Sequence, residues 1–232
     1  MKVLIVHAHP EPKSFNGALT ERAIQCLEST GHEVVVSDLY RMTWQPRSSR
    51  ENFLTTANAD FFKQQIEEDY ASNNGGFALD VQQEIDKLFA CDALIFQFPL
   101  WWFSVPAILK GWADRVFAFG KVYGYQNMLE TGCLRGRRAM VSVTTGAVES
   151  LYTSDKSGLG HIEDILYHVN FGMFRFTGFD VLRPFVSWGP SQKSFEERQE
   201  MLDQYEARLS RMWTEEPMTF RERRENKLLV KV

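Results

Sequence analysis

Three short segments of this 232-residue chain combine side chains and backbone of the kinds that hold a small molecule. The first, His9-Pro10-Glu11-Pro12-Lys13-Ser14-Phe15-Asn16-Gly17, lies between an apolar run and a helical pattern. Ser14 is placed to cap that helix, and the amides of residues 15–17 stand at the positive end of its dipole, where a phosphate is stabilised. His9 and Ser14 add donors. Neither GxGxxG nor GxxxxGK[ST] is present, which disfavours a standard dinucleotide or P-loop site. The second segment is Pro99-Leu100-Trp101-Trp102-Phe103. Three aromatics in sequence cannot all face one side, and a flat aromatic cofactor needs apolar walls. The third, Thr144-Thr145-Gly146-Ala147, offers hydroxyls and a glycine that lets backbone approach a ring closely. Each alone is matched by a plainer reading as a capped turn, core aromatics or a polar bend. Their coincidence after successive apolar runs points to a flat, phosphate-bearing cofactor.

The elements that must position these loops alternate regularly. Val3-Leu4-Ile5-Val6 is a continuous apolar run of the kind a doubly covered parallel strand requires. Helical spacing follows from Phe15 to Leu27, with Gly31 as its C-terminal signal. Further strands are expected at 33–37, 93–98, 139–143 and 181–186, the last at an edge because Pro184 cannot donate to a ladder. Helices are expected over 105–116 (started by Ser104), from about Ile162, and from Phe195 to Trp213. Five strand-helix alternations predict an α/β fold: a flavodoxin-like, doubly wound, five-stranded parallel sheet with helices on both faces. In such sheets ligands bind beyond the carboxyl ends of the strands, where all three loops fall.

One domain over 1–220 holds this pattern, followed by a basic tail at 221–232. The polar, Asn-rich excursion 41–80 carries Phe53, Phe61, Phe62 and Tyr70, which suggests packing against a partner subunit rather than a free flap. A net charge of -4 offers no field for nucleic acid. Three cysteines, widely spaced and without a CxxC pair, suit a reducing compartment. No stretch approaches the roughly 20 apolar residues of a membrane span, so the expected location is cytoplasmic.

The motifs themselves resemble those of the NAD(P)H:quinone oxidoreductases of the DT-diaphorase type. They are HAHPEPKSFNGAL from His7 to Leu19, SDLY from Ser37 to Tyr40, FQFPLWWFSVPAILKGWADRVF from Phe96 to Phe117, SVTTG from Ser142 to Gly146 and GFDVLRP from Gly178 to Pro184. The resemblance runs from Lys2 to about Pro217 and implies FAD, NADH or NADPH as hydride donor, a homodimer with sites at the subunit boundary, and ping-pong hydride transfer to a quinone or similar flat electrophile. It implies FAD contacts at His9, Phe15 and Asn16, an isoalloxazine wall at Pro99, Leu100, Trp102 and Phe103, and contacts to the ring's polar edge at Thr145 and Gly146. Tyr152 matches a tyrosine that, with a histidine, stabilises negative charge on the flavin. His161 is the candidate for that histidine, although counting back from Gly178 places it at Leu159. Where one family branch has two metal-binding histidines this chain has Phe171 and Arg175, so no metal is expected. A small FMN-binding electron carrier, a flavin-bearing regulatory subunit of a membrane transporter and an azo or nitroaromatic reductase are the competing readings.

Overall fold

The computed structural model describes residues 1–152 and 158–220. The expected basic tail and part of the loop after Tyr152 lie outside the described residues. The apolar runs become β1 (Lys2–His7), β2 (Glu33–Asp38), β3 (Ala93–Pro99) and β4 (Arg138–Thr144). Helix α1 (Phe15–Ser29) follows β1, and α2 (Gln64–Asn74), α3 (Leu79–Ala90) and α4 (Ala107–Val116) lie between β2 and β4. Every pairing is parallel, in the order β2-β1-β3-β4 and then β5 (Asp180–Val181). That order reverses beside β1, so the loops after β1 and β3 diverge there and leave a crevice.

Both faces of the sheet are covered, which explains why the strand sequences do not alternate. Leu4, Val6, Leu94, Phe96 and Val141 pack against α3, α4 and the helical stretch after residue 161. Val3, Ile5, Ile95 and Met140 pack against α1 and α7 (Phe195–Leu209). The stretch between is irregular: α5 (Ile162–Ile165), α6 (Tyr167–Val169) and a π-helical turn over Asn170–Arg175.

Four local expectations need correction. The strand expected over 181–186 is two short strands: β5 pairs with the start of β4, and β6 (Phe185–Ser187) pairs with its end. Pro184 sits in the gap, where the missing N–H interrupts no ladder. The last helix ends at Leu209, not Trp213. Ser104 does not cap α4, because Pro106 occupies the N-cap and no side chain bonds there. The excursion 41–80 is not a mere loop either. It contains α2, which Gly75 terminates in the left-handed conformation (φ 61°). Two buried carboxylates brace it: Glu67 accepts from the Ala57 and Asn58 amides within the excursion, and Glu68 ties it to the rest of the chain by accepting from the Phe119 amide. Arg115, over the Trp44 ring at 4.2 Å, bonds Asn52 and Asp80 at its base. Phe53 packs inward, whereas Phe61 and Tyr70 are exposed.

Candidate cofactor site

At the carboxyl end of the sheet lies a cleft of about 580 Å³. Its walls bring together His9, Ser14, Phe15, Asn16, Pro99, Leu100, Thr145 and Gly146 from all three loops. The α1 N-terminus forms the floor. Ser14 caps it by accepting from the Gly17 amide at 3.1 Å, so the amides left without intrahelical partners are those of Phe15 and Asn16. Gly17 therefore offers the cleft no donor, a correction to the sequence reading. Its function is steric, since a Cβ there would lie 2.0 Å from the Pro12 carbonyl oxygen. Gly17→Ala must displace the loop around Pro12 from the α1 N-terminus. We expect a loss of about 1–3 kcal/mol, a fall of roughly 3–10 °C in Tm, measured by calorimetry. An unchanged Tm would show that the loop yields freely.

Asn16 faces inward as well. Its side-chain amide donates to Thr144 Oγ1 at 2.9 Å and its carbonyl accepts from Gln97 Nε2 at 2.9 Å. With the side chain thus engaged, Asn16 offers the cleft its backbone N–H. The clamp ties the α1 N-terminus to the ends of β3 and β4, and so fixes the direction of the free amides. His9 Nδ1 lies 3.0 Å from the Glu11 amide and 3.1 Å from the Glu11 carbonyl oxygen, so Glu11 holds the ring through Nδ1 in either tautomer. Lys13 and Arg198 add positive charge to the same walls.

Thr145 is likewise committed to the loop it sits in. Its hydroxyl donates to the Ala147 carbonyl at 2.7 Å and accepts from the Gly189 amide at 3.2 Å. Gln192 donates to the Gly146 carbonyl at 2.6 Å. The β4 loop is therefore held by the segment following β6, which the sequence reading did not connect to the site. The same region contributes Pro190, Ser191, Phe195, Arg198, Gln199 and Leu202 to the cleft. A local signal for this second helix end was available: Ser194 and Glu197 form a capping box.

Trp101, Trp102, Phe103, Ala147, Tyr152 and His161 do not line this cleft; the aromatic segment meets its wall at His9, whose ring centroid is 6.2 Å from that of Trp101. Trp101 and Ser104 exchange backbone hydrogen bonds at 3.1 and 3.0 Å, closing a tight turn. Its two central residues, Trp102 and Phe103, have φ of 52° and 57°. This turn geometry ordinarily selects Asn-Gly. Holding bulky side chains left-handed costs roughly 1–2 kcal/mol per residue. Trp102 is 95% exposed and Phe103 47%, so burial of these rings within the chain does not offset that strain.

Tyr152 is 6% exposed and packs on Trp188, with ring centroids 5.4 Å apart. Burial raises the pKa of its hydroxyl, which keeps it a neutral donor. The chain returns to it after the loop: the Ile162 amide donates to the Tyr152 carbonyl at 3.2 Å, which places His161 beside it in the backbone, at the N-cap of α5. Leu159, the alternative position for the histidine, packs against the apolar core. Phe171 stacks on Tyr167 at 5.1 Å and Arg175 pairs with Glu130 at 2.5 Å.

An open α/β sheet in the order 2-1-3-4-5, with a phosphate-type cleft at its switch point, defines a flavodoxin-like protein. Residues 1–209 match a family model described as having a flavodoxin-like fold. Mouse (Mus musculus) ribosyldihydronicotinamide dehydrogenase [quinone] is 43% identical over 94% of both chains. NAD(P)H dehydrogenase [quinone] 1 of Rattus norvegicus is 38% identical, over 94% of this chain and 80% of its own. The crystal structure of a candidate quinone reductase from Klebsiella pneumoniae superposes with a TM-score of 0.91 at 37% identity, covering 100% of this chain and 92% of that one. The chain belongs to the NAD(P)H:quinone oxidoreductase family of the flavodoxin-like fold.

Proposed function

We propose that the protein is an FAD-dependent NAD(P)H:quinone oxidoreductase, working as a homodimer by ping-pong hydride transfer. The observation that carries this reading is the extent of the cleft. From the Phe15 and Asn16 amides it runs on past His9 and Lys13 to Phe195, Arg198 and Leu202. A flavin mononucleotide needs only a phosphate seat and a ring wall. The further stretch toward α7 suits the second phosphate and the adenosine half of FAD. The α1 N-terminus, Lys13 and Arg198 would hold the pyrophosphate. Pro99, Leu100, Trp101, Trp102, Phe103, Gly146 and Ala147 would border the ring, with Ser14 and Gly17 fixing the α1 end and Thr145 holding the β4 loop.

Bound FAD would supply an acceptor and donor of hydride. The chain's own residues seat the ring, leave one face open to nicotinamide and quinone in turn, and hold a neutral Tyr152 hydroxyl where negative charge develops. We assign His161 to the same polar edge. A second copy of the chain is the natural cover for Trp102 and Tyr125, which are 95% and 85% exposed, since large bare aromatic surface marks an interface.

Purified protein should be yellow, release FAD stoichiometric with the chain, sediment as a dimer and reduce menadione at the expense of NADH or NADPH. Release of FMN alone from fully loaded protein would overturn the FAD assignment. Flavin-loaded protein without turnover would return the carrier or transporter-subunit reading. No helix among the described residues is long and apolar enough to cross a membrane.

A further inference from the structure

The strained Trp102-Phe103 turn needs something outside itself to hold it, and one side chain reaches it from a distant element. Ser104, which closes the turn, has its Oγ 3.0 Å from His168 Nε2. The other ring nitrogen, Nδ1, lies 2.9 Å from the Ile165 carbonyl oxygen, an acceptor only. Nδ1 therefore carries the proton and donates to Ile165, and in the neutral ring Nε2 is left as acceptor for the Ser104 hydroxyl. The ring is fixed at both ends, by its own helical turn on one side and by the aromatic turn on the other.

We propose that Ser104 and His168 form a latch that holds the left-handed Trp102-Phe103 turn in place and so sets the width of the slot over the flavin. Both act as positioning residues. The role in the slot rests on the reading of that turn as a wall of the flavin site; the latch itself does not. Three observations converge on it. The turn has two consecutive non-glycine residues at positive φ, a conformation that persists only where surrounding contacts impose it. Its tip is exposed, so packing within the chain does not impose it. Ser104 is free for this contact because the α4 N-terminus makes no side-chain cap. The latch spans 64 residues of sequence, joining the β3–α4 connection to the stretch that follows Tyr152 and His161. One contact thereby couples the aromatic turn to the helical stretch that begins after His161.

The test is hydrogen exchange at the Trp101 and Ser104 amides, which bond across the turn, in flavin-loaded Ser104→Ala, His168→Ala, the double variant and His168→Gln. Losing one hydrogen bond of ordinary strength should speed exchange at both amides by about 5- to 10-fold. The double variant should exchange no faster than either single one, because both remove the same contact. His168→Gln, whose side-chain carbonyl can accept in place of Nε2, should restore much of the protection. The KM for the nicotinamide donor should rise in parallel while kcat and flavin content hold. Unchanged exchange in the single variants, or additive effects in the double, would overturn the latch whatever the cofactor. Faster exchange with an unchanged KM would overturn its role in the slot. A protein that bound no flavin would overturn the functional reading, and the exchange data would still decide the latch.

Discussion

Replacing Tyr152 with phenylalanine is expected to slow the reductive half-reaction by up to about 100-fold while FAD stays bound. The hydroxyl is a poor base and a good donor: burial raises its pKa, so it keeps its proton throughout the working pH range. A neutral donor contributes little while the ring is uncharged. It contributes most when negative charge appears at its edge, so the loss falls on the rate and not on cofactor affinity. The ring stays packed on Trp188 in the variant, so the fold should be unaffected. His161→Ala should have a smaller effect, because its backbone serves as the N-cap of α5 whatever its side chain does. Stopped-flow reduction of both variants decides the ranking. An unchanged rate in Tyr152→Phe would remove the residue from the chemistry. A larger loss in His161→Ala would transfer the leading role to the histidine. In the wild type, parallel double-reciprocal plots should accompany these rates, since one open face serves both substrates.

The second large effect should appear in cofactor choice. Arg198→Ala is expected to weaken FAD binding by roughly 10- to 100-fold, the range of a lost hydrogen bond to a charged group, while FMN binding changes little. Arg198 stands on the first turn of α7, with Nη1 donating to the Lys193 carbonyl at 3.0 Å, which steadies the guanidinium against the cleft. Binding of each flavin to apoprotein, followed by fluorescence quenching, separates the two cases. Equal losses for FAD and FMN would place Arg198 at the first phosphate, and no loss for either would remove it from the site. Because the effect is a charge-assisted contact at a partly exposed wall, it should shrink with added salt.

Much of this architecture is written locally along the chain. Largely apolar runs mark strands covered on both faces, and the observed β1, β3 and β4 extend those runs by only a residue or two at their ends. Ser14 announces the α1 N-terminus by its own chemistry, since a side-chain oxygen next to a helix start finds the amide three residues on. The order of alternation then determines that three loops converge on one crevice. These signals depend on neighbours within a turn or a strand, and for that reason they can be read from one sequence.

Which groups each loop turns toward the crevice depends on contacts between segments far apart in the chain. Gly17 looked like a donor and proved to be a close contact with Pro12, because the cap consumes its amide. Asn16 is held by Gln97 and Thr144, residues 81 and 128 positions away. Arg198 enters the site from α7, and His168 reaches Ser104 across 64 residues. Pro184 splits a strand that apolar character alone would have continued. Such contacts depend on how packed layers bring distant segments within about 3 Å, and a hydrogen bond of that length leaves no periodicity in the sequence. Local sequence signals specify the fold and the end of the sheet where the crevice opens. The packing of α1 and α7 onto that sheet selects which atoms line the cleft.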